Sequence, residues 1–354
     1  MSDRFPLLKL PYLCIVEVLS NFQIAELIPF SIISETVYST IKSMRFPIKQ
    51  INIDIKNELT IIRFKASENV DIGSWHIRED CPNPNEFSRE NLNNEWPINR
   101  VPLYFRYSND GTGSKVLCYC PNGYRQQICK SAIKHVMNLF RSPPINKVAV
   151  YTEKLDEKIF PRNIGIKTCL ALHIIDEKPL EEQVLCDLLK SMDVRDAYSF
   201  RIPIQNGIPI ELGTKKVECT ENQEWITRDV LFSFKYDELH CLAYLKQLRA
   251  NDVIELVYRW FVSDNKTFRM FLLKLKNGVE EHYFDDLNAM EWSPERRSRC
   301  YPVSPRRAAD LSKGRDIERS DGLLATVFYH RRTFFFCVWH ERFNAADGRK
   351  NVFN

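Results

Sequence analysis

From Leu10 to Met44 apolar residues recur at helical spacing in three short bursts. Pro11 suits a first helical turn, where its missing N–H leaves no bond unmade. Tyr12, Ile15, Val16 and Leu19 follow three and four apart, which predicts a helix with one apolar stripe. Ser20-Asn21 interrupts it, and Ile24, Leu27 and Ile28 start a second stripe. Pro29 is expected to end or kink that helix, because it lacks an amide and crowds the preceding turn. Ser34 is placed to cap a third helix, with Val37, Tyr38, Ile41 and Met44 on one face and Lys42 and Arg45 in its last turns. Phe46-Pro47 closes the segment. Three short helices bury little by themselves, so this many apolar side chains predict that some lean on a partner or a neighbouring domain.

Beyond Gln50 the period falls to two. Ile51, Ile53 and Ile55 alternate with polar residues, Asn57-Glu58 marks a turn, and Leu59, Ile61, Ile62 and Phe64 return, which predicts a β-hairpin. Residues 68–100 are polar and carry Trp75, Pro82, Pro84, Trp96 and Pro97; they are expected to be a loop pinned by its tryptophans. Residues 101–107 and 116–119 read as strands around the turn Asn109-Asp110-Gly111. Ile128, Ala132, His135, Val136 and Leu139 are spaced as a helix. From Lys147, strand-like runs at 148–151, 169–174, 197–204, 239–245 and 270–275 alternate with helical patterns at 180–192, 226–232 and 252–261. The expected fold class is mixed α/β. Two architectures fit the alternation: an irregular leucine-rich-repeat-like array with a parallel sheet on one side, or an ordinary α/β sandwich. The pattern divides the chain into residues 1–46, a β-rich connecting region at 47–145, and an α/β domain at 146–354 that ends in a β-hairpin.

The opening segment resembles an F-box: a Leu10-Pro11 start, an apolar first helix, a short second one, then Phe30-Ser31-Ile32-Ile33-Ser34 leading into a third. Phe5-Pro6 before Leu10-Pro11, and the closing Phe46-Pro47-Ile48, resemble the large nematode family of F-box proteins, whose members carry a type-2 F-box-associated domain downstream. Residues 222–232, NQEWITRDVLF, resemble the Trp-Ile/Val-Thr element of that domain. The run from Asp316 to Gly322, followed by residues 325–328 and 334–339, resembles its terminal hairpin. The family's Asn-x-Phe-Leu-Lys-x-Trp element has its nearest counterpart between Ala250 and Trp260. Glu35 stands where F-boxes often carry a basic residue, and Pro29 lies within the second helix. The resemblance implies a non-catalytic substrate receptor without a cofactor. Its F-box would dock a Skp-type adaptor, and through it a cullin, while the C-terminal domain holds a target protein. The residues expected to contact the adaptor are Leu10, Pro11, Leu13, Ile15, Val16, Leu19, Leu27 and Ile28.

Charge changes this picture little. The chain has 50 basic and 46 acidic residues, a net +4, which is too small a bias to argue for nucleic acid or a membrane by itself. Nothing approaches a membrane span or a signal peptide, so an intracellular protein is expected. The 11 cysteines are scattered and several sit in apolar runs, which reads as reduced core thiols. Cys118-x-Cys120 with Cys129 and His135 lacks the paired knuckles of a structural zinc site, and no metal is expected. His330 and His340, with Glu341 nearby, fit no helix-borne metal pair, and Asp285-Asp286 reads as an exposed turn. The basic run Arg296, Arg297, Arg299, Arg306, Arg307, Lys313 and Arg315 reads as a solvated loop. No nucleophile elbow, phosphate loop or dinucleotide fingerprint is present. The competing readings are an α/β enzyme or a nucleic-acid-binding protein with a helical appendage.

Overall fold

Three helices form at the N-terminus: α1 over Tyr12–Ser20, α2 over Ile24–Ile33 and α3 over Glu35–Ser43. This computed structural model describes residues 9–79, 94–95, 102–109, 114–204, 206–208, 212, 216–221, 223–276, 281–304, 307–344 and 350–353. The Pro11 carbonyl accepts the amides of Cys14 and Ile15 at 2.9 and 3.1 Å and so begins α1. The Glu26 carboxylate accepts the Gln23 amide at 2.7 Å, closing a capping box at the start of α2. One expectation changes: Pro29 does not end α2, which runs on to Ile33. An interior proline costs about 3 kcal/mol. Ile24, Leu27 and Ile28 are all buried, and at roughly 1.5–3 kcal/mol each their burial outweighs that cost. Ser34 does precede α3, but its side chain makes no capping bond.

The chain divides into two compact units, Met1–Asp176 with Gln183–Arg195, and Glu177–Glu182 with Asp196–Asn354. The first holds the three helices and a sheet of β1 (Gln50–Ile55), β2 (Leu59–Ser67), β3 (Val70–Glu79), β4 (Asn94–Glu95), β5 (Pro102–Asn109), β6 (Ser114–Cys120), β7 (Ile145–Tyr151) and β8 (Thr168–Ile175). Their order is β8-β7-β1-β2-β3-β6-β5-β4. The β1–β2 hairpin forms as its alternation predicts, with Ile53 opposite Ile62. Residues 70–79 correct the loop expected there, for they are strand β3, and Trp75 is buried in the sheet. A row of same-face residues, Val148, Ile53, Ile62, Trp75 and Val116, crosses five strands in register and is buried throughout. Helix α4 (Arg125–Leu139) links β6 to β7, and α5 (Glu182–Lys190) follows β8. The expected features at Phe5-Pro6, Pro82, Pro84, Trp96, Pro97 and Asp110-Gly111 lie outside the described residues.

The long segment of the second unit begins within β9 (Asp193–Arg201) and continues through β10 (Lys216–Cys219), α6 (Arg228–Phe232), β11 (Glu238–Leu245), α7 (Ala250–Phe261) and β12 (Met270–Leu275). Strands β9 to β12 are parallel neighbours. Then come β13 (Met290–Glu291), β14 (Cys300–Ser304), β15 (Arg307–Asp310), β16 (Arg315–Glu318), β17 (Leu324–His330), β18 (Thr333–Trp339) and β19 (Lys350–Phe353). The expected terminal hairpin is β17–β18, and β18 returns antiparallel beside β12. Every residue of β18 is buried, which explains its unbroken apolar run. Phe336 packs with Trp260 and Phe268 on one face. Phe335, Cys337 and Trp339 join Tyr301, Ala309 and Leu311 on the other, beneath the small sheet β14-β15-β19. Mixed α/β is therefore the fold class, with parallel strand–helix alternation giving way to antiparallel strands.

Candidate partner-docking surface

Two of the N-terminal helices are committed to their own unit. Helix α2 packs on β3 and β6, and α3 packs on α2 and α4. Helix α2 and β3 come close at Gly73, where an added Cβ would lie 3.2 Å from the Ala25 amide nitrogen and 3.4 Å from the Ala25 Cβ. A glycine facing an alanine lets the helix backbone reach the sheet. Ser31 on α2 and His135 on α4 form a hydrogen bond of 2.7 Å, and the Tyr38 ring lies 5.4 Å from the same imidazole. Burial pushes the His135 pKa down to about 4, so the ring is neutral at physiological pH. Arg141 donates to the carbonyls of Lys42 and Ser43 at 3.2 and 3.3 Å and holds the end of α3. Phe140 meets both Phe46 and Phe64 edge-on.

The eight residues expected at an adaptor interface separate by exposure. Leu19, Leu27 and Ile28 are fully buried, and Ile15 is buried beside them. Leu10 and Val16 are half-buried, while Pro11 and Leu13 lie open. Leu13 is 77% exposed and Tyr12 is 54% exposed, although the spacing of Tyr12 put it on the inner stripe. The Tyr12 hydroxyl is tied to Ser43 Oγ at 2.7 Å, which fixes the ring at the edge between α1 and α3. Leu10, Pro11, Tyr12, Leu13 and Val16 thus keep apolar surface accessible at and just before α1. The sequence signal for Tyr12 was present, since Val16 lies four residues on, but spacing alone does not tell which side of a helix is covered.

The other constellations are structural. Cys118, Cys120 and Cys129 are buried between β6 and α4, and burial holds the Cys120 thiol up at about 12. The ten cysteines among the described residues are free, and no group of three or more His, Cys, Asp and Glu among those residues could hold a metal ion. Arg125 donates to the carbonyls of Lys56 and Asn57 and to Thr60 Oγ1, pinning the β1–β2 turn to the start of α4. His340 meets the Phe268 carbonyl at 2.8 Å, and His330 stacks on Phe328. Asp285 receives Arg315 at 3.3 Å.

The basic run is not the solvated loop expected of it. Arg297 is fully buried and donates through Nε to both Asp316 oxygens, at 2.8 and 3.0 Å. Its other nitrogens reach the Ser298 and Leu311 carbonyls, and its guanidinium lies 4.7 Å from the Trp339 ring centroid. Thr326 donates to Asp316 at 2.7 Å and accepts the Trp339 indole N–H at 2.8 Å. Arg299 pairs with Asp310, whose carboxyl is raised by burial but pulled down to about 2 by Arg299 and Ser312. Lys313 has no ion pair among the described residues, Arg307 is the exposed first residue of β15, and Arg306 falls outside them. A nucleic-acid track along this run would have to break internal pairs first.

Comparison with known proteins adds one domain and one relative. Residues 7–49 match the F-box domain, which spans α1 to α3. An uncharacterized protein of Caenorhabditis elegans is 22% identical over 379 aligned positions, covering 97% of this chain and 79% of the relative. No solved structure matches the chain. Among the described residues no helix is long and apolar enough to cross a membrane. The F-box supports a general role as an adaptor in ubiquitin ligation.

Proposed function

We propose that this protein is a non-catalytic substrate receptor of a cullin-type ubiquitin ligase. Its F-box docks a Skp-type adaptor through the outer edge of α1, and the second unit, read as a type-2 F-box-associated domain, holds a target protein. The observation that carries this reading is the exposed Leu13 within the matched F-box. Helices α2 and α3 have their apolar faces occupied by the sheet and α4, so the edge of α1 is where apolar surface is left over. Leu10, Pro11, Tyr12, Leu13 and Val16 are the contact residues in this proposal. Ile15, Leu19, Leu27 and Ile28 are buried and belong to the F-box interior in this proposal.

The mechanism is proximity. A target held by the receptor experiences a raised effective concentration of the ubiquitin-loaded enzyme, and no side chain of this chain breaks or forms a bond. Docking α2 on the sheet and α3 on α2 and α4 gives the F-box a rigid base within its unit, which lowers the ordering cost of binding. The test is co-purification of a Skp-type adaptor with the full chain. Leu13→Asp should abolish capture while leaving the melting temperature unchanged, because the side chain points to solvent. Capture that survives Leu13→Asp, or a wild-type chain that never captures the adaptor, defeats the proposal.

A further inference from the structure

We propose that the tip of the β17–β18 hairpin and the adjoining ends of β11 and β12 dock an acidic segment of a target protein. This rests on the receptor reading and names the face of the second unit that takes the target. Five cations gather there: Lys246 just after β11, Lys274 in β12, Lys276 just after it, and Arg331 and Arg332 in the hairpin turn. The register brings them to one end of neighbouring strands. Tyr244 is opposite Lys274, Lys274 is opposite Thr333, and the Leu275 amide donates to the Arg332 carbonyl at 2.9 Å. Lys274 Nζ lies 5.7 Å from the centroid of the Tyr244 ring, which is itself 46% exposed. Burial raises the Tyr329 phenol, and the Arg332 charge beside it acts in the opposite direction.

Two features set this cluster apart from the arginines between Arg297 and Arg319. The first is pairing. Arg297, Arg299, Arg315 and Arg319 each face a carboxylate. None of the five cations at the strand ends makes an ion pair among the described residues. The second is strain. Arg331 and Arg332 have φ of 47° and 64°, both left-handed, at the two central positions of a turn between paired His330 and Thr333. Gly fills such turns with no Cβ to clash, and Asn tolerates the left-handed region through local hydrogen bonds of its short side chain. Keeping two long cations there points to a use for their side chains.

Unmatched positive charge calls for an anionic occupant, and the exposed Tyr244 ring adds an apolar flank. Carboxylates of a protein segment suit a patch this small. A nucleic acid wants a longer track of free cations, and the arginines of 296–315 do not extend one because most are paired internally. Ligand sites outside the carboxyl ends of parallel strands are also a general tendency of α/β sheets.

The experiment uses the full chain and a fluorescein-labelled oligo-glutamate peptide, read by anisotropy at low salt. The double variant Arg331→Asn with Arg332→Gly removes two charges and installs residues that the turn prefers. Its affinity should fall about tenfold or more, its salt dependence should weaken, and its melting temperature should hold or rise. Lys130→Gln with Lys134→Gln, exposed positions on α4, should leave affinity within about twofold, since scattered surface charge is screened. Undiminished affinity in the hairpin variant overturns the proposal. So does an equal loss in the α4 variant, or an oligo-thymidylate of matched charge binding about tenfold more tightly than the peptide. Adaptor capture is measured on the same preparations. Hairpin-dependent peptide binding with no adaptor capture in the wild type keeps this surface and rejects the receptor reading alone.

Discussion

The two units cover their sheets by different physics. In the first, α2 lies on β3 and β6, with Gly73 letting Ala25 approach closely, α3 lies on α2 and α4, and Leu27, Ile28 and Ile41 are fully buried. In the second, β14 and β15 lie over β12, β17 and β18 through Tyr301, Ala309 and Leu311, keyed by the buried Arg297–Asp316 pair. Apolar packing is non-directional and tolerates adjustment. A buried ion pair is favourable only when its hydrogen bonds are all made, so losing one partner leaves an uncompensated charge. The leftovers differ in kind as well: apolar surface on α1, and positive charge at the hairpin tip.

This contrast breaks most sharply at Asp316. Asp316→Ala should cost about 4 kcal/mol, because it strands the Arg297 guanidinium and leaves the Thr326 hydroxyl without its acceptor. Urea denaturation would measure it, and a loss under about 1 kcal/mol would show that the pair is not what holds the small sheet in place. Leu27→Ala should cost about 3 kcal/mol, from lost burial plus a cavity under α2. A shallower value would mean that the helices settle into the space.

Acidification sharpens the comparison, since a neutral imidazole sits in the first interface. The folded His135 pKa is about 4, below its unfolded value of 6.5, so the unfolded chain binds the extra proton between those limits. Stability should therefore fall as pH drops, by about 2 kcal/mol at pH 5 relative to pH 8. His135→Gln should remove that part of the profile; identical profiles would contradict the assignment. Ser31→Ala, which removes the partner of that ring, should cost about 1 kcal/mol in the same denaturation experiment. Smallest in stability is Leu13→Asp, within about 0.5 kcal/mol, although the receptor proposal gives it the largest effect on adaptor capture.

Much of the local structure was legible beforehand. Period-two alternation at Ile51, Ile53 and Ile55 became β1, and the 3.6 spacing from Ile128 to Leu139 became α4. The misreadings share a cause. Val70 to Glu79 looked like loop because polar residues alternate with Trp75 and Ile77 on one face only, and β3 gains its stability from neighbours distant in sequence. Local cost makes Pro29 an end or a kink of its helix, and with Leu27 and Ile28 buried α2 continues past it to Ile33. The basic run looked solvated because its carboxylates, Asp310, Asp316 and Asp285, come from other strands and turns.

For the candidate site, the three-helix segment and the short list of apolar residues within it can be read from the chain's local pattern. These follow from side-chain periodicity and turn chemistry, which act over a few residues. Only the tertiary structure decided that Leu19, Leu27 and Ile28 face inward while Leu13 and Tyr12 face out. It also decided which arginines meet carboxylates and which stand unmatched at the hairpin tip. Exposure and charge pairing depend on which distant element lies across a surface, and no local pattern encodes that.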